Sequence, residues 1–161
     1  MCIRDSNPPS MLDALAEQLR ETRQPSPTEP SVIARVILDS LALRYASVLE
    51  TLEDLSGEVI EGVHVVGGGS RNAYLNRATA SATGRMVRVG PVEATVVGNV
   101  VVQAITAGRF ASLTEARQHV SARLQPASVT PVPSASWERL RRQYAGVEAH
   151  LSSADRWGSG T

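Results

Sequence analysis

Between Ile33 and Leu55 apolar side chains return every three or four positions: Ile33, Ile37, Leu41, Tyr45, Val48, Leu52 and Leu55. A single stripe on this period predicts a long amphipathic helix that packs by the stripe onto a core. Thr28 is placed to cap its start, with Glu29 and Pro30 in the first turn, and Gly57 ends it. Upstream, Met11, Leu15 and Leu19 lie four apart and predict a short amphipathic helix, which "PSPTEP" breaks.

Past Gly57 the period changes. "GVHVV" is a β-branched run that predicts a buried strand, and "MVRVG" predicts a second. Between them the residues after Gly69 predict a helix to about Thr83, stopped by Gly84. "PVEATVVGNVVVQAITAG" is apolar nearly all round, so a buried helix is expected there, closed by Gly108. Within it Gly98 suggests close helix packing beside the bulky Val100, Val101 and Val102. Ser112 and Glu115 have capping-box spacing for a further helix to about Leu124.

The C-terminal third divides by composition. Residues 125–136 are rich in Pro and Ser and are expected to be a linker. Residues 137–150, with Trp137, Leu140, Tyr144 and Val147 at helical spacing, predict a helix that docks on the body, and 151–161 a disordered tail. At the other end "MCIRDS", residues 1–6, lacks the apolar core of a signal peptide and fits nothing downstream, so it is expected to be extraneous. The fold class expected is α/β, helix-rich with a short, incomplete sheet. Two strands are too few for this many helices, and the chain reads as a piece of a larger domain.

Composition narrows the function. With 161 residues, 42% hydrophobic and 20% charged, the chain has the make-up of about one soluble globular domain. Sixteen basic residues balance sixteen acidic ones, which leaves no footprint for nucleic acid or an anionic membrane. No stretch nears the roughly 18 apolar residues that cross a bilayer. A single cysteine, Cys2, excludes an internal disulfide and suits a cytoplasmic protein. Every basic residue is arginine, so a Walker A, Schiff-base or general-base lysine is excluded from this chain.

The candidate chemistry lies in "HVVGGGSRNAYLNRATASATG", His64 to Gly84. A strand, then glycines, then a helix is an anion- or nucleotide-binding geometry, because backbone N–H groups and the positive helix end face the ligand. Gly67, Gly68 and Gly69 would let a ligand lie against the main chain. Ser70 is the candidate helix cap, and Asn72 is expected one turn in, its amide reaching outward. Four readings compete. A Walker A loop fails for want of lysine. A dinucleotide fingerprint is partial, with Asn72 at its last glycine and Glu93 outside the second strand. An adenosine-binding Gly-Gly turn fits, and so does a tight turn that binds nothing. His64 alternates with Val63 and Val65 and is expected in the core or an interface, while His119 and His150 should face solvent. No metal-ligand spacing is present, and no metal site is assigned.

Taken together, "VHVVGGGSRNAYLNRATASATGRMVRVGPVEATVVGNVVVQAI" resembles the C-terminal domain of the FGGY family of carbohydrate kinases. The likeness runs from "NPPSMLDAL" to "SLTEAR", about residues 7 to 120, and places a partial domain of this kind at 7–124. GGGSxN, ATGRxV and GPVEAT at these spacings are far more specific than the glycines alone. Nearest in pattern is the branch that phosphorylates the 1-hydroxyl of L-rhamnulose. The resemblance implies part of an actin-like (ribonuclease H-like) ATPase domain, with ATP and Mg2+ held by a complete two-domain enzyme and the sugar by a domain absent here. It further implies that Gly68 contacts the nucleotide, that Asn72 lies nearby, that Gly67 and Gly69 complete the turn, and that Tyr74 and Leu75 are core. Glu93 would stabilise a helix dipole. The family's Asp-x-Gly-Thr loop has no counterpart among Asp5, Asp13, Asp39, Asp54 and Asp155, so no catalytic residue is assigned.

Overall fold

A computed structural model describes residues 8–123 and 127–155, with the backbone alone for 151–155. The expected leader at 1–6 and the last six residues of the expected tail lie outside the described residues. The elements are α1 (Met11–Glu21), α2 (Pro30–Ser56), β1 (Gly62–Val65), a 3-10 turn (Gly68–Arg71), α3 (Ala73–Thr83), β2 (Met86–Val89), α4 (Ala94–Thr106), α5 (Leu113–Arg123), β3 (Ala127–Val129) and α6 (Ala135–Asp155).

The sheet has the order β1-β2-β3. β1 and β2 are parallel, pairing Gly62 with Met86 and Val65 with Val89, and α3 is the crossover between them. β3 runs antiparallel to β2, Val129 opposite Val87. This third strand lies inside the stretch expected to be a linker. Its three residues are short enough to fit between the prolines, and they pair at a sheet edge, where proline neighbours are tolerated. The expected tail also changes: α6 continues to Asp155, five residues past the predicted end.

Helix α3 is the centre of the molecule. Leu75, Ala78 and Ala82 join Ala42, Leu43 and Ala46 of α2 in one cluster, and Leu38, Tyr74, Trp137, Leu140 and Tyr144 pack around it. Small residues let the two helices approach closely. On the sheet side Val87 is fully buried. Helix α6 adds ion pairs from Arg44 to Glu148 and from Arg141 to Glu50, while Ser47 donates to Glu148 at 2.7 Å. Burial and the nearby Glu148 carboxylate push the Tyr144 phenol above its usual range. Tyr74 is raised too, by burial and by its 2.5 Å hydrogen bond to Asp39.

Several expectations about packing are corrected. The stripe of α2 is not the packed face: Ile37, Leu41, Tyr45, Val48, Leu52 and Leu55 are all exposed. At 100° per residue the stripe lies roughly 150° around the helix from the buried Ala42, Leu43 and Ala46. Helix α2 therefore has two apolar faces, and α3 covers one. Helix α4 has no buried residue, and Val96, Val100 and Val102 are exposed. A Cβ on Gly98 would meet nothing within 4 Å, so no close packing explains that glycine. His64 is exposed rather than in a core, its ring 3.4 Å from Arg88 across the two parallel strands.

Local signals fared better. Gly57, Gly84 and Gly108 end their helices in the left-handed conformation. Glu115 N–H donates to Ser112 Oγ at 3.2 Å, and the Glu115 carboxylate accepts from Ala111 N–H at 2.7 Å, one residue earlier than a capping box requires. The cap of α2 is Glu29 rather than Thr28, with Pro30 opening the helix.

One charged residue ties the end of α2 to the segments that lead into both strands. Glu53 Oε1 accepts from Ile60 N–H at 2.8 Å and from Arg85 Nη2 at 2.9 Å. The Ile60 N–H, then Arg85, hold the carboxyl below its ordinary 4.5. A folded pKa below the unfolded one stabilises the fold above that ordinary value, and the benefit disappears as pH falls through the folded value. The melting temperature of Glu53→Gln should lie below that of the parent at neutral pH, and the gap should close as a thermal-melt series is carried below pH 4.5.

Candidate functional site

Two loops leave the sheet side by side, because β1 and β2 are parallel and end in register at Val65 and Val89. The first is the glycine turn, and the second is "GPVE", Gly90 to Glu93. Gly90 N–H donates to the Val65 carbonyl at 2.8 Å, and Gly67 N–H donates to the Pro91 carbonyl at 3.2 Å. The loops are thus joined main chain to main chain. The carboxyl ends of adjacent parallel strands are where open α/β sheets bind ligands.

Within the turn each expected residue has a definite place. Gly67 sits at φ 77 and ψ −161, a conformation essentially confined to glycine. Gly68 to Arg71 form a single 3-10 turn, which separates the glycines from α3. The helix is therefore capped by Asn72 and not by Ser70: Asn72 Oδ1 accepts from Leu75 N–H at 3.0 Å. Asn72 is not one turn in, as its sequence position suggested. With Oδ1 committed to the cap, only its NH2 end can donate outward. Ser70 is 7% exposed, and its hydroxyl donates to the Gly67 carbonyl at 2.7 Å. It builds the turn from beneath.

Gly68 is the informative residue. A Cβ there would meet no atom of the described residues within 4 Å, and its φ lies outside the left-handed region. Neither packing nor strain among the described residues calls for glycine. A Cβ on Gly69 would touch only Val65 Cγ1, at 4.0 Å. The outer face of the turn is a bare main-chain surface, able to take a flat, partly apolar group such as a nucleoside.

Asn76 went unnoticed in the sequence. It is 3% exposed, and its Nδ2 donates to the Ser70 carbonyl at 2.9 Å. The signal was a polar residue among Leu75, Ala78 and Thr79 on the buried side of a helix. Pro91, whose carbonyl anchors Gly67, was equally hidden. Glu93 stands at the N-cap of α4 without a side-chain capping bond. Asp39 accepts from Tyr74 and pairs with Arg35, which makes it structural. His119 packs against Phe110, centroids 5.1 Å apart. Among the described residues no three His, Cys, Asp or Glu gather into a metal-binding group.

Residues 7–107 match the C-terminal domain of the FGGY family of carbohydrate kinases. That span takes in both loops. Over 133 residues the chain is 45% identical to a rhamnulokinase of Bacteroides thetaiotaomicron, which covers 83% of this chain and 27% of that relative. The chain thus spans about a quarter of the length of the curated relative it matches.

The two glycines should separate in urea melts. Gly67→Ala should lose about 1–3 kcal/mol through its conformation. Gly68→Ala should stay within about 0.5 kcal/mol of the parent, since the fold makes no demand there.

Proposed function

The chain belongs to the FGGY family of carbohydrate kinases, and we propose that it supplies the adenosine side of an ATP site in an actin-like kinase domain. The complete enzyme would transfer the γ-phosphoryl group of ATP, with Mg2+, to a sugar hydroxyl. Similarity to a rhamnulokinase favours L-rhamnulose as the sugar and its 1-hydroxyl as the acceptor. ATP supplies the transferable phosphoryl group; the residues of this chain bind and orient its nucleoside end.

The observation that carries this reading is Gly68, a glycine the chain's own packing and backbone do not require. Its bare face admits the nucleoside, Gly67 and Gly69 shape the corner, Ser70 braces it, and the Asn72 amide donates beside it. The base, the metal ligands and the donors for the terminal phosphates belong to the remainder of the enzyme, as does the sugar site. Phosphoryl transfer depends on all of them. The piece by itself is therefore inactive.

The open faces of α2 and α4 agree with this. Exposed apolar residues on these two helices support a contact with further protein, which in this reading is the rest of the kinase. No helix among the described residues is long and apolar enough to cross a membrane. A cytoplasmic site of action suits a sugar kinase that draws on ATP.

Calorimetric titration of the complete kinase with ADP and with NAD tests the reading. ADP should bind and NAD should not. Gly68→Val should weaken ADP by about tenfold or more, or roughly 1.4 kcal/mol and upward, with the melting temperature nearly unchanged. Undiminished ADP affinity in that variant, or a preference for NAD, would reject the assignment. The isolated chain should release no ADP when given ATP, Mg2+ and L-rhamnulose.

A further inference from the structure

Gly90 opens the second loop, and its φ lies outside the left-handed region, so conformation does not ask for glycine there. Space does. A Cβ on Gly90 would stand 2.9 Å from Val66 Cγ1 and 3.6 Å from the Val65 carbonyl oxygen. Non-bonded carbons sit best at about 3.5–4.0 Å, so the first of these distances is an overlap. Gly68 and Gly90 are opposite cases. A methyl added at Gly68 meets open space, whereas one added at Gly90 meets the neighbouring loop.

The contact lies on the seam between the two loops. Past Val65 and Val89, the last paired residues, the Val65 carbonyl accepts from Gly90 N–H at 2.8 Å. Gly67 N–H then donates to the Pro91 carbonyl at 3.2 Å. A regular parallel ladder would use one residue for both bonds. Here Gly90 and Pro91 together stand opposite Val66, two residues against one, which is the count of a β-bulge. Val66 Cγ1 occupies the space that a Gly90 side chain would need. A β-branched side chain yields little by rotation, so a methyl at position 90 is accommodated by parting the loops. Both main-chain bonds would lengthen, and Gly67 would shift with them.

We propose that Gly90 is a positioning residue of the nucleotide site. By leaving room for Val66 it keeps the loops in contact, and so holds Gly67 and the adjoining Gly68 where the nucleoside binds. This rests on the adenosine reading above. In this role Gly90 touches no ligand; it acts through Val66 and the two main-chain bonds.

The test is a double-mutant cycle of Gly90→Ala with Val66→Ala in the complete kinase. In the parent background Gly90→Ala should raise the ADP Kd and the KM for ATP about tenfold, while kcat and the sugar KM change less than about twofold, the mark of lost ground-state binding. With Val66→Ala in place the obstructing methyl is gone. Adding Gly90→Ala to that background should change the ADP Kd less than about twofold, a coupling expected only of residues in contact. Parent-like ADP affinity in Gly90→Ala would overturn the proposal. So would an equal loss in both backgrounds, which would put the effect somewhere other than the Val66 contact. A parallel fall in thermal stability, sugar binding and nucleotide binding describes a purely structural glycine and would overturn it too. If Gly68→Val weakens ADP while Gly90→Ala does not, the adenosine site stands and only this role falls. If Gly68→Val has no effect, the site itself is misplaced and this role falls with it.

Discussion

The Gly67 N–H bound to the Pro91 carbonyl, and the Gly90 N–H bound to the Val65 carbonyl, clamp the ends of two parallel strands together. Everything proposed for the site depends on that clamp. It brings the glycine turn and the GPVE loop together at the carboxyl ends of β1 and β2. Beneath the clamp Ser70 and Asn76 fix individual peptide planes. The result is a main-chain surface held from inside, with its outer face open at Gly68.

The same packing explains why the chain looks unfinished. α3 fills one side of α2 through Ala42, Leu43 and Ala46, and the opposite side of α2 carries the larger apolar residues to the surface. α4 repeats the theme with its valines. β1 is an edge strand of a three-stranded sheet, flanked on one side only. These open apolar faces and this strand edge belong to a chain that spans about a quarter of the length of the curated relative it matches.

Much of this was legible in the sequence, and the division follows from locality. The glycine helix stops, the Ser112 cap and the strand-turn-helix unit rest on residues close together in the chain, and all were readable. The face of α2 was not, since periodicity reports that a stripe is apolar but not which neighbour covers it. Two alanines and a leucine, the face in contact with α3, give a weaker pattern than the stripe that stays open. β3 was missed because its three residues gain order only by pairing with β2, some forty positions away. Ser70 lost the capping role to Asn72 because an added 3-10 turn shifted the helix start by two residues. Asn76 was invisible for a related reason: a buried amide is recognised by what surrounds it.

The central claim is that adenosine rests on the outer face of Gly68. Determining the structure of the complete kinase with ADP bound addresses it most directly. The account predicts the nucleoside in van der Waals contact with the Gly68 Cα, at about 4 Å. A nucleoside bound on a different surface, with Gly68 facing only solvent, would contradict it.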